Sequence, residues 1–209
     1  MDKLDLKKDL KFLYFPSAKK VELVEVPEFQ FAMLDGVIQA DETPGTSAAF
    51  QEDLQALYGI AYTLKFTCRF RKQDPIDYPV MTLEALWWVE VGEFDFTRKE
   101  KWFYTAMILQ PDLITAELFQ EDQQKLNEKH PSPAVDRLRL EHFREGLAIQ
   151  TMHIGPYATE PATIEKMHAF ARQNGLQGRG KHHEIYLGDP RRAVPEKLKT
   201  VLRHPVERV

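Results

Sequence analysis

Arg137-Leu138-Arg139-Leu140-Glu141-His142-Phe143, then Leu147-Ala148-Ile149-Gln150-Thr151-Met152-His153-Ile154 with Gly155-Pro156 behind it, repeats a pattern the chain has already used once. The earlier use is Val21-Glu22-Leu23-Val24-Glu25-Val26, a break at Pro27-Glu28, and Phe29-Gln30-Phe31-Ala32-Met33 running to Gly36. Both alternate apolar and polar residues at period two, and each reads as an antiparallel hairpin. Outward from the first, Thr46 is a helix cap, and Phe50, Leu54, Leu57, Ala61, Leu64 and Cys68 recur every three or four residues, lining a helix of about six turns. It should stop before Asp74-Pro75. Strands are expected over 80–91 and 102–109, and a short helix over 4–13 ahead of Pro16. Outward from the second, Thr159 caps a helix carrying Ile164, Met167, Phe170 and Ala171, with Gly175 as its stop. Strands over 182–187 and 198–206 close the chain.

The order is hairpin, helix, two strands, twice over. Placing Gly36 on Gly155 gives an offset of 155 − 36 = 119, and placing Glu84 on Glu184 gives 184 − 84 = 100. The first copy therefore carries 119 − 100 = 19 additional residues, mostly in its helix. The fold expected is α+β: duplicated strand-helix-strand-strand halves with antiparallel sheets, related by a pseudo-twofold axis. One domain covers 1–209, with a first repeat over about 20–110, a connecting helix over 111–130 that ends at His130-Pro131-Ser132-Pro133, and a second repeat over about 135–209. One helix covers only one face of a sheet, so each half needs its twin, and a central ligand groove is expected.

The 209 residues include 28 Lys plus Arg against 32 Asp plus Glu, a net charge of −4. A general nucleic-acid binder would need a cationic excess, so nucleic acid is not an expected partner. Cys68 is the single cysteine, which excludes an intramolecular disulfide and a cysteine zinc site. Residues 1–20 interleave charge with Leu and Phe and contain no signal-peptide core, and no uncharged run reaches membrane-spanning length. A cytoplasmic setting without membrane association is expected.

Strand parity names candidate site residues. Leu83, Ala85, Trp87, Val89 and Val91 form an apolar set expected under the helix, leaving Glu84, Leu86, Trp88 and Glu90 on the other face. By the same register His183, Ile185 and Leu187 take the helix face, and His182, Glu184 and Tyr186 the groove side, with Glu84 and Glu184 as equivalents. A carboxylate among large rings suits a flat, apolar or cationic small molecule. Partial burial would move such a carboxylate towards proton-transfer chemistry. The competing reading makes Glu84, Glu90 and Glu184 solvated residues of an exposed face, against which the neighbouring Trp and Tyr weigh.

The run Leu83-Glu84-Ala85-Leu86-Trp87-Trp88, the segments His153-Ile154-Gly155-Pro156-Tyr157 and His182-His183-Glu184-Ile185-Tyr186-Leu187-Gly188-Asp189-Pro190-Arg191-Arg192, and the ending Lys197-Leu198-Lys199-Thr200-Val201-Leu202-Arg203 resemble the GyrI-like small-molecule-binding family. The likeness extends to Asp5-Leu6-Lys7-Lys8 and Leu57-Tyr58 and covers nearly the entire chain. It implies the duplicated fold, binding of lipophilic and often cationic compounds in the central groove, and an acidic strand residue that contacts the ligand. A stand-alone branch with a similar Leu-Glu-Ala-Leu-Trp-Trp run is associated with hydrolysis of cyclopropane-containing alkylating natural products. That resemblance implies Glu184 as general base or water-orienting group, Tyr186 or Tyr157 at the developing oxyanion, and Trp88 and Trp102 as walls. Glu84, Trp88, Trp102, Tyr104, His153 and His182 are the candidate ligand contacts. Val37-Ile38 after Gly36 departs from the family pattern, in which a second small residue often follows. A non-catalytic multidrug-type binding or sensing module is the alternative, and a gyrase-inhibiting interaction ranks below it.

Other motifs carry less. Gly175-Leu176-Gln177-Gly178-Arg179-Gly180-Lys181 matches phosphate-loop spacing, but it runs from a helix into a strand, the wrong way round for a phosphate cradle. His182 and His183 point to opposite strand faces, so no metal is expected, and no cofactor is called for. Arg69, Arg71 and Lys72 complement a helix C-terminus. Cys68 sits in the apolar stripe as a packing residue. Asp189-Pro190-Arg191-Arg192 reads as a turn held by guanidinium contacts.

Overall fold

The computed structural model of the chain describes residues 2–92, 94, 95, 98 and 100–209. In chain order the principal elements are β1 (Glu22–Ile38), α1 (Ala48–Phe70), β2 (Glu84–Trp88) and β3 (Trp102–Gln110); then α2 (Ala116–Lys129); then β4 (Arg139–Ile154), α3 (Glu160–Gln173), β5 (His182–Tyr186) and β6 (Lys199–Arg208). Strand-helix-strand-strand thus occurs twice, with α2 between, as the sequence pattern requires. Neither expected hairpin forms, because β1 and β4 are each a single long strand. Pro27-Glu28 does not turn the chain, and the Gly146 of β4 takes a positive φ of 73° without ending the strand. The expected N-terminal helix is two single turns, Leu6–Asp9 and Lys11–Tyr14. The strand expected over 80–91 shortens to β2, and Val91 is exposed.

The chain forms two compact units. One takes residues up to Asp9 with Phe29–Met81 and Trp88–Phe143. In it, the end of β1 pairs antiparallel with β3 from Gln30 opposite Gln110 to Ile38 opposite Trp102. Helix α1 buries Phe50, Leu57, Ile60, Ala61, Leu64 and Cys68, close to the stripe read from the sequence, with Leu54 only half-buried. Gly59 lets α2 approach, since a Cβ there would meet Leu126 at 3.1 Å. Gly36 is fixed more firmly: a Cβ would lie 2.1 Å from the Tyr104 hydroxyl. That hydroxyl donates to the buried Asp53 at 2.6 Å, and Asp53 also pairs with Arg137.

The other unit takes Leu10–Glu28, Thr82–Trp87 and Arg144–Val209. Here β6 pairs antiparallel with both β4 and β5, and β5 pairs antiparallel with the Glu84–Trp87 part of β2. Helix α3 lies on one face of these strands, where Met167 and Ala171 meet Ile149, Leu176, Leu202 and Val206 in a buried apolar cluster. At about 25 cal/mol per Å² of apolar surface removed from water, such clusters supply the main drive for the unit to fold. Helix α3 ends at Gly175, whose φ of 63° makes it the stop that the sequence indicates. Beyond it Leu176–Gly178 is a short strand, so the phosphate-loop-like spacing does run from helix to strand.

Candidate functional site

The register of β5 decides which side chains meet. Ala85 lies opposite Glu184, and Glu84 opposite Ile185. Directly opposed residues of an antiparallel pair share a sheet face, so Glu84 and Glu184 point to opposite faces and are not equivalents. The offset of 100 drawn from the sequence is one residue out for this pair, and one residue is enough to change faces. Glu184 is also opposite Leu202, which packs under α3, so His182, Glu184 and Tyr186 occupy the helix-covered face rather than the helix-free one. His183 and Ile185 take the other.

On the helix-covered face a chain of polar groups converges on Glu184, which is 2% exposed. His182 Nε2 donates to Glu184 Oε1 at 2.9 Å, and His182 Nδ1 lies 2.6 Å from His204 Nε2. The Tyr186 hydroxyl lies near Glu184 and accepts from Trp87 Nε1 at 2.9 Å. Glu160, the first residue of α3, is completely buried beside Glu184 and Thr200, yet neither of its carboxyl oxygens has a well-formed hydrogen bond. The Tyr157 ring meets that of Tyr186 edge-on, centroids 6.0 Å apart, and its hydroxyl has no hydrogen-bond partner among the described residues.

The environment separates the two carboxyls. Burial opposes ionisation of Glu184, but the hydrogen bond and charge of His182, followed by Tyr186 and Glu160, outweigh it and hold the carboxyl below its usual range. Burial, and then the charge of Glu184, push Glu160 up to about 10, so Glu160 is a neutral acid at pH 7 beside an ionised one. Burial and the charges of Glu184, Glu160 and Asp189 push the Tyr157 hydroxyl up, so it remains a donor.

Glu84 belongs to a different cluster. It accepts from the Tyr14 hydroxyl and contacts His183 Nε2 at 3.1 Å, while His183 Nδ1 contacts Glu145 at 3.0 Å. Arg203 completes the cluster, donating to Glu145 at 3.3 Å, to Gln150 at 3.1 Å and to the Leu13 carbonyl at 2.8 Å. The desolvation that disfavours a charged His183 is overcome by Glu145, which holds it up at about 9, and Glu145 falls to about 2 despite its burial. These groups fasten the Lys11–Tyr14 turn to the sheet.

The remaining candidates fall as follows. His153, 5% exposed, shares the helix-covered face, and its ring nitrogens contact Thr163 Oγ1 at 2.9 Å and Thr159 Oγ1 at 3.2 Å. It braces the turn leading into α3. Thr159 bonds His153 and the Pro156 carbonyl instead of capping the helix. Trp88, Trp102 and Tyr104 belong to the first unit: Trp88 stacks on Phe103 at 5.9 Å, Trp102 meets Phe94 edge-on at 5.5 Å, and Tyr104 is completely buried on Asp53. Tyr104 thus fills core volume. Sequence reading missed Glu160, His204 and Trp87. His204 could have been found from pairing, since a strand that sets Leu202 against Glu184 sets His204 against His182, but that register is not written in composition or periodicity.

Comparison with known proteins places the chain. Residues 19–207 match the GyrI-like small molecule binding domain, and the protein belongs to that family. A conserved protein of uncharacterised function from Listeria innocua is 39% identical, over 98% of this chain and 100% of that one, with a TM-score of 0.87. A hydrolase from Listeria innocua is 38% identical, over 99% and 100% of the two chains, with a TM-score of 0.86. The C-terminal domain of EcmrR, 11% identical over 91% and 98% of the two chains at a TM-score of 0.54, shares the fold. No match is found among curated protein sequences. Among the described residues no helix is long and apolar enough to cross a membrane.

Proposed function

We propose that the protein is a hydrolase that adds water to small electrophilic molecules carrying a strained cyclopropane conjugated to a dienone, with Glu184 as the base. The observation that carries this reading is the separation of the carboxyl pair: Glu184 is held ionised by His182, and Glu160 beside it is held neutral. The hydrolase from Listeria innocua, 38% identical over almost the full length, supports hydrolysis in general; the cyclopropanoid substrate comes from the family resemblance of the Leu83–Trp88 run.

In the proposed step Glu184 takes a proton from water while the water oxygen bonds to a cyclopropane carbon. The strained carbon–carbon bond breaks, its electron pair passes into the dienone, and the carbonyl oxygen becomes a phenolate. Tyr157, whose hydroxyl is uncommitted, donates to that developing oxyanion. Tyr186 keeps Glu184 in place. The phenolate then takes up a proton and Glu184 loses one to solvent, so the net change is addition of one water. Ring strain supplies much of the driving force, which leaves positioning as the protein's main contribution.

The test is Glu184→Gln against a planar cyclopropanoid substrate, with binding followed separately by quenching of the three tryptophans. Turnover should vanish while quenching persists. A wild-type protein that quenches with such compounds and never opens the ring would instead be a passive binder, the alternative that a small-molecule-binding family leaves open.

A further inference from the structure

The carboxylate proposed as the base is gripped from behind by two imidazoles, only one of which touches it. His182 Nε2 lies 2.9 Å from Glu184 Oε1, and the other nitrogen of the same ring, Nδ1, lies 2.6 Å from Nε2 of His204. Hydrogen-bond bookkeeping fixes the protons. An ionised carboxylate only accepts, so His182 Nε2 carries a hydrogen; with that one proton on the ring Nδ1 accepts and His204 Nε2 donates, whereas a second proton on His182 would reverse the bond. The chain runs in one direction, from His204 through His182 to Glu184.

We infer that His204 is a positioning residue for Glu184: by donating to Nδ1 it locks His182 in the tautomer whose Nε2 hydrogen binds Oε1, which leaves Oε2 as the basic oxygen. This rests on the reading of Glu184 as the base. The two rings meet nearly edge-on, 4.7 Å between centroids at 74°, an orientation that puts the His204 nitrogen on the edge of His182. His204 is half-buried at the outer end of the chain, and its far neighbour is the His168 ring of α3 at 5.5 Å. Burial and then the charges of His182, His168 and His183 hold His204 well below the usual imidazole range, so it remains the neutral donor that the chain requires.

The groups that face this chain are few. From α3 come Glu160 and His168, from β4 His153, from β5 Tyr186 on the same face and His183 on the other, and from the turn before α3 Tyr157. Among them, no other imidazole reaches Glu184 within hydrogen-bond distance.

The test uses the full chain without substrate first. In protein labelled with 15N at histidine, the His182 shifts should report a protonated Nε2 and an unprotonated Nδ1; the opposite tautomer or a doubly protonated ring overturns the inference without any variant. In protein labelled with 13C at glutamate, His204→Ala should raise the titration midpoint of the Glu184 carboxyl by about one pH unit. His204→Gln, whose amide can still donate, should bring it back towards the wild-type value. An unmoved midpoint in His204→Ala overturns the inference. With a cyclopropanoid substrate the acid limb of kcat/KM should follow these midpoints, a shift that a merely structural role for His204 would not produce. Should wild-type protein never turn over the substrate while the midpoints move as stated, the hydrolase reading fails and the positioning of Glu184 stands.

Discussion

His182 and His183 are adjacent on one strand, and their side chains leave it in opposite directions. On one face, His183 and Arg203 balance Glu84 and Glu145, all four at most 3% exposed and each hydrogen-bonded to another member of the set. On the other, His182 and His204 face Glu184 and Glu160, and the Glu160 carboxyl has no well-formed partner. The first set is closed: two cations, two anions, and Tyr14 and Gln150 filling the remaining positions. The second carries more acid than its imidazoles can satisfy, and the surplus is absorbed by keeping one proton on the carboxyl pair. A closed buried network specifies structure, whereas a half-satisfied one with carboxyls driven apart is poised for proton transfer.

Single substitutions on the two faces should separate activity from stability. Glu184→Gln should lower turnover of a cyclopropanoid substrate by about 10³-fold, within the range that a general base contributes, with little change in the urea midpoint. Arg203→Met should do the reverse. It leaves Glu145 buried without its guanidinium, which for a broken buried pair costs about 3–5 kcal/mol, while kcat in the folded fraction stays near wild type. A folded, fully stable Arg203→Met protein with lost activity would erase the distinction between the faces.

The two faces also divide the pH dependence of stability. His183, held at about 9 against the ordinary 6.5, stabilises the fold fully below pH 6.5 and loses that contribution as pH rises through 9. Glu145, held at about 2 against 4.5, stabilises above pH 4.5 and loses its contribution as pH falls towards 2. Glu160, raised to about 10, keeps a proton that the unfolded chain releases above 4.5, so it lowers stability steadily above that pH. Stability should therefore peak near pH 4.5, and each group should contribute a slope of about 1.4 kcal/mol per pH unit inside its window. Urea midpoints across pH should show His183→Gln reducing the slope between 6.5 and 9 to the share that Glu160 supplies, and Glu160→Gln raising stability at pH 8. A Glu160→Gln protein less stable than wild type at pH 8 would mean that the carboxyl is satisfied after all.

Much of the architecture could be read in the chain before its coordinates. Apolar spacing of three and four residues from Phe50 to Cys68 located α1, and the restart after Pro133 located the second strand-helix-strand-strand set, because such patterns record burial residue by residue. The hairpins were misread at Pro27-Glu28 and between Phe143 and Leu147, where turn-forming residues sit inside long strands whose pairing partners lie far along the chain. Glu184, Tyr186 and His182 were grouped correctly by alternation, since period two assigns a face. Alternation cannot say which face lies under the helix, or how neighbouring strands slide against each other. Both depend on register, and so Glu84 was placed with Glu184, while His204 and Glu160, more than 19 residues away on other elements, went unnoticed.

The finest test of the two faces uses one atom on each. Tyr14 donates its hydroxyl to Glu84 inside the closed set, and the Tyr186 hydroxyl lies near Glu184 while accepting from Trp87. Both rings remain the right shape as phenylalanine. Tyr14→Phe removes a hydrogen bond to a charged group and should cost about 1.5–3 kcal/mol of stability, partly recovered where His183 supplies the remaining contact to Glu84, with kcat unaffected. Tyr186→Phe removes the hydroxyl that accepts from the Trp87 N–H but leaves Glu184 its bond to His182, so its stability cost should be smaller, about 1 kcal/mol. Its kcat should fall by about tenfold as the carboxylate loses a neighbour that fixes its orientation. Equal stability losses with unchanged turnover in both variants would mean that the two tyrosines do the same structural work, and that the contrast between the faces stops at the histidines.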